Sequence, residues 1–524
     1  MKWLRILIWT LLVFGNSAAA GPVVQIVVAE DAHPLEKAAA EQIRADFHRL
    51  FEAEAKLVDA ADSNFENAIR VGVLEDLEPQ EHLVRSGKGK LIVGGGSPAA
   101  TLWAACELGQ HFGMRYTLQA DFTPIEKPEF SLEDIDIQLK PNVEIRGWRS
   151  IGPFGPGSQE SWGIAEHQQL LGQLAKLKFN HVTLVLGGGR PFLHSVEADQ
   201  LEGKLWLGHE FEVGDDAAGG SVFGDAEVFE NSDFVRKEEY VDRLQAGIEL
   251  ANGIVAKARE LGMSVSIDIE PKLLGAAKKT YPNVDDFETS LVTLNLGHSH
   301  AGVLPQMTTS NLPDLLTAIR DGAEGFEVRA AIPGDVNAGV YFLSRASFNA
   351  EITPSETLTD LVTPVCDKDA ADRLAMAFEA IEKANKLIRK HDKDFALPAP
   401  DMFMKHYESS EPAPAWWAEA KALYGEAAKH PELGAHPFTD YHAKRFTFAH
   451  HYLSAVEFVR AAGIAKADGD LDTQIKNVRL AADAIRDALN AYSEVVRDNS
   501  DRGVIALLNA YAYRPLIEIL DTAP

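Results

Sequence analysis

The feature that most constrains this chain is an alternation of apolar runs and helical segments between residues 141 and 350. A helix predicted over residues 164–177 leads into the apolar run 181–186, and a helix predicted over 239–261 leads into 263–269. Apolar strands that alternate with helices of this length are typical of a parallel α/β sheet. The remaining strand-like runs cover residues 143–149, 291–296, 325–328 and 339–343.

The number of these runs bears on whether the sheet closes into a barrel. We count about six strands between residues 143 and 345, whereas a (β/α)8 barrel needs eight strands and at least about 200 residues. Residues 205–234 are rich in Gly, Asp, Glu and Phe without a helical period, and they use part of that length. The sequence therefore predicts a (β/α)8-like barrel that is incomplete. Two irregular strands, within residues 205–234 or near Val303, remain the alternative.

Two further units flank this region, so the fold class is α/β multidomain. Residues 21–140 alternate short strands with amphipathic helices over 34–51 and 99–112, which predicts a small α+β N-terminal domain. Residues 351–524 are helical in pattern and predict an α-helical C-terminal domain, leaving 141–350 for the barrel-like domain. The glycine runs at 94–96 and 187–189 lack the Lys-Ser/Thr pair of a phosphate-binding loop.

The first twenty residues have the features of a signal peptide. Lys2 and Arg5 precede an apolar run over residues 6–14, and Ala18, Ala19 and Ala20 provide a cleavage site. The run has about half of the roughly 20 residues that a membrane-spanning helix requires. We therefore expect an exported protein, periplasmic or extracellular, that is soluble after cleavage and has no membrane span.

Composition excludes several classes of partner and scaffold. The formal charge of −28 and the isoelectric point near 5.0 repel phosphate backbones, so we expect no nucleic-acid partner. Cys106 and Cys366 lie far apart in different predicted domains, which favours two buried thiols over a disulfide scaffold. The sequence has no cysteine cluster for structural zinc, and we expect neither a metal nor a cofactor.

The order of these units resembles a family of sugar-processing enzymes. Residues 94–108, Gly-Gly-Gly-Ser-Pro-Ala-Ala-Thr-Leu-Trp-Ala-Ala-Cys-Glu-Leu, and residues 112–116, Phe-Gly-Met-Arg-Tyr, resemble the small N-terminal domain of α-glucuronidases and β-N-acetylhexosaminidases. Arg146-Gly147-Trp148 resembles the strand that opens the catalytic barrel of these families. The helical C-terminal unit is more similar to the α-glucuronidases. This resemblance implies a glycoside hydrolase with a carbohydrate substrate.

Glycoside hydrolysis requires two carboxyl groups, which a barrel places at the carboxyl ends of its strands. Asp268 and Glu270 end one predicted strand and, being two residues apart, point to the same side. Glu327 ends another and is the third catalytic candidate. The alternative for the pair is two solvated carboxylates at a strand end.

The candidate substrate-binding residues follow the same logic of strand ends. Arg146 and Arg149 flank the first strand, with Trp148 between them, and a guanidinium suits the carboxylate of a uronic acid. His298 and His300 follow the fourth apolar run and could bind sugar hydroxyls. A His-x-His pair alone is weak evidence for a metal, because such a site needs a third protein ligand. We expect Asp268, Glu270, His298 and Arg146 to converge on one cleft.

Three function classes remain open. The leading class is a secreted glycoside hydrolase, α-glucuronidase-like, acting on an oligo- or polysaccharide with or without uronic acids. A catalytically inactive glycan-binding relative with a truncated barrel is the second, and a metal-dependent hydrolase or isomerase using His298 and His300 is the third. Exposed strand edges of an incomplete barrel need covering by the C-terminal helices or by a second copy, so a homo-oligomer is also open.

Overall fold

The computed structural model describes residues 21–59, 67–87, 90–150, 161–186, 210–234, 239–269, 273–286, 291–296, 304–305, 309–330, 332–391, 400–409, 411–429 and 436–523. The predicted signal peptide, residues 1–20, lies outside these ranges. The chain is a mixed α/β protein with a parallel sheet and several domains. The predicted domain boundaries at residues 140 and 350 remain predictions.

The N-terminal part is a six-stranded sheet with two helices. Its elements are β1 (Val23–Val27), α1 (Pro34–Phe51), β2 (Glu54–Val58), β3 (Ala68–Val73), β4 (His82–Gly87), β5 (Lys90–Gly95), α2 (Pro98–His111), β6 (Arg115–Tyr116), β7 (Asp121–Phe122) and β8 (Asp136–Leu139). The sheet order is β2-β1-β3-β5-β4-β8, and β6 pairs with β7 separately. Both helices begin with proline, whose missing amide hydrogen would be unpaired in the first turn anyway. The alternation of short strands with two helices that the sequence predicts for residues 21–140 is therefore confirmed.

The central part is a second sheet of five parallel strands. Its elements are β9 (Ile145–Ser150), α3 (Ile164–Lys176), β10 (His181–Val185), β11 (Phe211–Glu212), β12 (Val228–Phe229), α4 (Tyr240–Glu260), β13 (Ser264–Asp268), α5 (Leu274–Thr280), β14 (Val292–Asn295), α6 (Leu312–Gly322), β15 (Gly325–Arg329) and α7 (Pro333–Ala346). The strand order is β13-β10-β9-β15-β14. The first strand, β9, thus pairs with the last, β15, as it would in a closed barrel.

Five of the six predicted strands form the described sheet, and the two short strands within residues 205–234, β11 and β12, pair with each other in a separate antiparallel sheet. Residues 339–343 were expected to form a strand, but they lie inside α7 and are buried there. A short apolar run has the same sequence pattern in a buried strand and in a buried helix, and Pro333 starts the helix only six residues earlier. An isolated parallel bridge joins Ser266 to Asp286 beside β13. Among the described strands nothing links β13 to β14, so eight-strand closure is not seen there.

The segment between β10 and α4 packs against the C-terminal helices. Its described part contains the two-residue strands β11 and β12, which pair antiparallel, and a 3₁₀ turn over Gly220–Phe223. Phe211, Val213 and Phe229 form a small apolar cluster with Ala506 and Leu507. The part of this segment over residues 187–209 lies outside the described residues.

From Pro354 onward the described chain is helical, as predicted. Its elements are α8 (Pro354–Val362), α9 (Lys368–His391), a 3₁₀ turn (Pro400–His406), α10 (Ala415–Lys429), α11 (Pro437–Asp468), α12 (Leu471–Ser493), α13 (Asn499–Leu508), a π turn (Asn509–Tyr513) and α14 (Arg514–Thr522). By length and hydropathy the stretch Asn499–Thr522 could cross a membrane, which the sequence expectation did not foresee; half of its most apolar window is buried in the fold. Cys106 and Cys366 are buried free thiols, as expected.

A buried ion pair joins the central part to the C-terminal helices. The carboxylate of Asp335, at the start of α7, accepts hydrogen bonds from Nε of Arg445 at 2.8 Å and from its Nη2. Both residues are buried, and the guanidinium lies 4.2 Å from the centroid of the Tyr492 ring. Removing either charge would leave the other buried and uncompensated, so the contact fixes α11 against α7.

A buried carboxyl lies next to this pair. Oδ1 of Asp501 accepts hydrogen bonds from the hydroxyls of Tyr441 at 3.0 Å and Tyr492 at 2.6 Å, and Oδ2 accepts from the Arg497 amide at 2.8 Å. Burial, together with the charge of Asp498, raises the pKa of Asp501 from 3.8 to about 7. A carboxyl whose pKa is raised by folding stabilises the fold when protonated, and this stabilisation is lost as the pH rises through the folded pKa.

We therefore expect the substitution Asp501→Asn to change how stability depends on pH. The amide stays neutral at every pH, so wild type should lose on the order of 2 kcal/mol relative to this variant between pH 5 and pH 8. Urea unfolding at several pH values measures the difference. The exposed Asp483→Asn should show no such trend, and a pH-independent difference for Asp501→Asn would contradict the assignment.

Candidate functional site

The inner face of the five-stranded sheet is polar. Side chains alternate between the two faces of a strand, so positions two residues apart share a face. The residues that meet on the inner face through hydrogen bonds come from all five strands: Arg149, His181, Thr183, Ser264, Ser266, Asp268, Thr293 and Glu327. Closed barrels of this class fill their interior mainly with Val, Ile and Leu. This face is therefore built for polar contacts rather than for an apolar core.

Arg149 is the centre of this face. Its Nη1 donates to Oε1 of Glu327 on β15, and its Nη2 donates to Oδ2 of Asp268 at the end of β13. Burial lowers the pKa of Arg149, but the hydrogen bonds and charges of the two carboxylates outweigh burial, and the net pKa is raised. One guanidinium thus holds two carboxylates from strands on either side of it.

The two carboxylates differ in their access to solvent. The side chain of Glu327 is fully buried, whereas that of Asp268 is 47% exposed. Thr293 donates its hydroxyl to Oε1 of Glu327 at 2.7 Å, and Oε2 of Glu327 has no hydrogen-bond partner among the described residues. Asp268 is therefore the carboxylate of this pair that a ligand can reach, and Glu327 supports Arg149 from below.

A histidine forms the floor of the face. Nδ1 of His181 lies 2.7 Å from the Ser264 hydroxyl, and its Nε2 lies 2.9 Å from the Ser266 hydroxyl. Burial lowers the pKa of His181, although the charge of Glu327 opposes the shift. Gly147 makes room here, because a methyl group at its Cα would lie only 3.1 Å from Cβ of Glu327 and 3.2 Å from the His181 ring.

The rim at the end of β9 carries a second histidine. Nδ1 of His167, in the first turn of α3, lies 3.1 Å from the hydroxyl of Ser150, the last residue of β9. Burial lowers the pKa of His167 to about 3, so the ring is neutral. The Trp162 ring packs edge-on against it at 5.3 Å between centroids. All three residues of this rim, Ser150, Trp162 and His167, are buried.

Two predicted substrate-binding residues do not reach the inner face. Arg146 is fully buried near the start of β9, where its guanidinium donates to the carbonyls of Lys178 and Val143 and to Gln80. Burial lowers the pKa of Arg146 to about 9. Trp148 is fully buried in the apolar core. The expectation that Arg146 converges with Asp268 is wrong, because the two lie at opposite ends of their strands.

The other predicted residues divide into two groups. Asp268, Arg149 and Glu327 do meet, although their catalytic and binding roles remain predictions. Glu270, His298 and His300 lie outside the described residues. No group of three or more His, Cys, Asp and Glu side chains that could hold a metal occurs in the described ranges.

Sequence reasoning missed the residues that surround Arg149. His181, Thr183, Ser264, Ser266 and Thr293 are all polar residues inside predicted strands. The sequence did contain one signal: Ser264, Ser266 and Asp268 are spaced two residues apart, which gives their strand one polar face.

A cavity among the described residues lies away from this sheet. It measures about 700 Å³ and is lined by the segment between β11 and β12 together with Arg514. The fork of Arg514 is already paired with Asp216, and the side chains of Asp216 and Glu212 are 67% and 85% exposed. We place the candidate site at the sheet instead, because buried, convergent polar groups mark a binding site better than volume alone.

No family model and no curated protein matches the sequence. The fold, however, is similar to solved structures of glycoside hydrolases. A GH138 enzyme targeting pectin rhamnogalacturonan II has a TM-score of 0.51 at 10% identity, covering 95% of this chain and 100% of that chain. BtGH115A, a GH115 4-O-methyl-α-glucuronidase with specificity for decorated arabinogalactans, has a TM-score of 0.53 at 13% identity, covering 93% and 79%.

A third solved structure agrees. CpGH89 from Clostridium perfringens, in complex with GlcNAc-α-1,4-galactose, has a TM-score of 0.50 at 11% identity, covering 94% of this chain and 76% of that chain. At such identities the likeness is one of fold. The chain therefore has a glycoside hydrolase-like fold, and the resemblance inferred from its sequence is confirmed at that level and not for a particular family.

Arg149→Met should destabilise the protein by about 3 kcal/mol, because it leaves the buried Glu327 carboxylate without its partner. In the double variant, adding Glu327→Gln to Arg149→Met should restore at least about 1 kcal/mol of the free energy of unfolding, since the unpaired charge is then removed. Urea unfolding of both single variants and the double variant closes the cycle. Arg44→Met, at an exposed i,i+3 pair with Glu41, is the matched control and should change stability by less than about 0.5 kcal/mol. Additive effects would contradict the predicted coupling.

Proposed function

We propose that this protein is an exported glycoside hydrolase that acts on an oligo- or polysaccharide at the carboxyl edge of the five-stranded sheet. One observation carries the proposal: Arg149 joins Asp268 and Glu327 on the polar inner face of a sheet whose fold is similar to glycoside hydrolases. Ligand sites of parallel α/β sheets lie at the carboxyl ends of the strands, where Asp268 is half exposed.

The proposed chemistry needs one protonated and one ionised carboxyl group. Asp268, paired with Arg149, suits the ionised role, either attacking the anomeric carbon or taking a proton from the attacking water. Glu270, two residues further along the chain, is proposed as the acid that protonates the leaving oxygen. Glu327 is reassigned from a catalytic to a supporting role, because its carboxylate is buried beneath Arg149.

The charge of the sugar is a separate question. Both Nη atoms of Arg149 already donate to carboxylates, so Arg149 offers no free fork for a uronic acid. A preference for uronic acids, as the α-glucuronidase-like assignment would imply, needs a different cation, and Arg329, two residues after Glu327 on β15, is close enough to Arg149 for the two charges to interact. We therefore propose a carbohydrate substrate with or without a uronic acid, and the screen below distinguishes the two.

A second candidate is a glycan-binding protein without hydrolase activity. It is favoured by a specific observation: the two described carboxylates of the inner face both pair with Arg149, which leaves neither as a proton donor. Binding would then use the same edge, and turnover would be absent whatever the state of Glu270.

The test is a screen of aryl glycosides and neutral and uronic-acid oligosaccharides with purified wild-type protein and two variants. Glu270→Gln and Asp268→Asn should each lower kcat/KM by at least about 100-fold, since each removes a group required for acid–base work. The circular dichroism spectrum should stay unchanged in both variants, thermal unfolding should stay unchanged in Glu270→Gln, and Asp483→Asn should retain full activity.

The remaining outcomes of this screen distinguish the hydrolase from the glycan-binding protein. Wild-type turnover by Glu270→Gln would remove Glu270 from the mechanism. Glycan binding by calorimetry without turnover would support the second candidate. Neither binding nor turnover across the panel would contradict both.

A further inference from the structure

The segment that follows β10 bridges two parts of the molecule. Its described residues, 210–234, contact the C-terminal helices at one end and the start of α3 at the other. Only two residue pairs join β11 to β12, and an isolated pair of strands is marginally stable at best. The conformation of this segment therefore depends on what holds it from outside.

One buried side chain supplies the main attachment. Asn509, at the start of the π turn, accepts a hydrogen bond from the Ala218 amide at 2.8 Å and donates to the Ala218 carbonyl at 2.9 Å. It also donates to the Ile505 carbonyl at 2.9 Å, and it is fully buried. The amide of Asn509 thus pairs with both backbone groups of Ala218, as a neighbouring strand would. π turns within helices occur frequently at functional sites.

Neighbouring contacts also attach this segment to the C-terminal helices. Asn490 accepts from the Gly219 amide at 3.1 Å, and Arg514 donates to both carboxylate oxygens of Asp216 at 2.8 and 2.9 Å. Gly219 has a φ of +67°, and a Cβ there would lie 2.7 Å from the Leu489 carbonyl oxygen. The segment therefore approaches α12 as closely as a glycine permits.

The other end of the segment contacts the rim of the candidate site. Asn231 donates to the Trp162 carbonyl at 2.7 Å, and Asp233 accepts from the Ile164 amide, the first in α3, at 2.8 Å. Trp162 packs against His167, which in turn contacts Ser150 at the carboxyl end of β9. These contacts lead from Asn509, through the chain between Ala218 and Asn231, to Ser150, which follows Arg149 in β9 and points to the opposite face of the sheet.

We propose that Asn509 is a positioning residue for the carbohydrate site, and this rests on the function proposed above. It acts through residues 210–234, which hold the start of α3 against the carboxyl edge of the sheet. The C-terminal helices are then part of the binding machinery rather than a separate module. Asn509 is separated from the proposed site by residues 210–234 and the start of α3, so it does not contact the substrate. Its substitution therefore changes the position of the rim and leaves Asp268 and Arg149 in place.

Asn509→Ala tests the proposal by hydrogen–deuterium exchange and by kinetics on the aryl glycoside that wild type turns over best. Exchange should rise at least about tenfold within residues 210–229 and also within 161–167. KM should rise about tenfold, with kcat within about twofold of wild type, because a displaced rim weakens binding. Asn477→Ala, whose partly exposed side chain donates to the Thr473 carbonyl of the same helix, α12, is the matched control.

Arg514→Gln is the second variant, since it loosens the same segment from the protein surface and spares the buried π turn. Arg514→Gln should also raise hydrogen exchange within residues 210–229 and 161–167 and raise KM, in each case by less than Asn509→Ala. Faster exchange within 210–229 with unchanged exchange at 161–167 and unchanged KM would overturn the proposal, and so would wild-type exchange throughout. If wild type turns over no glycoside, the proposed function fails by itself, and the exchange at residues 161–167 alone decides whether Asn509 positions the rim.

Discussion

A single guanidinium connects the two sides of the central sheet. Arg149 lies on β9, the middle strand in the sheet order, and its two Nη atoms hold a carboxylate from β13 on one side and from β15 on the other. The buried carboxylate of Glu327 is stable only when its charge is paired, so Glu327 and Arg149 fix each other, while the half-exposed Asp268 holds the other side of the guanidinium. The polar layer of His181, Ser264 and Ser266 beneath it then has partners within the sheet and needs no apolar filling. This arrangement gives the open edge a defined shape.

The surrounding architecture holds that edge in place. The ion pair of Asp335 and Arg445 fixes the helix after β15 against the C-terminal bundle, and Asn509 fixes the segment after β10 against the same bundle. Two of the connections that follow the strands therefore depend on helices more than a hundred residues away in sequence. A five-stranded sheet without observed closure can be kept in register in this way.

Much of the fold could be predicted from sequence, because the signals are local. Helix α1 begins and ends at the predicted residues, Pro34 and Phe51, and α3 begins at the predicted Ile164 and ends at Lys176, one residue before the predicted end. Residues 339–343 were assigned wrongly because five apolar residues fit a strand and a buried helix equally. Within the site, the spacing of two residues between Ser264, Ser266 and Asp268 indicated that these side chains share one face of their strand. The burial of Arg146, by contrast, depends on its hydrogen bonds to Gln80 and Lys178, which are distant in sequence, so no local pattern reveals it. Nor does the sequence show that Arg149 would be occupied by two carboxylates.

We have proposed that carbohydrate binds at the carboxyl edge of this sheet beside Asp268. Crystals soaked with a mixture of neutral and uronic-acid disaccharides show whether it does. We expect difference density for a sugar ring with a hydroxyl about 3 Å from the carboxylate of Asp268 and with the Arg149 contacts intact. Sugar bound only in the cavity of about 700 Å³ beside Asp216 and Arg514, with the sheet edge empty, would contradict it.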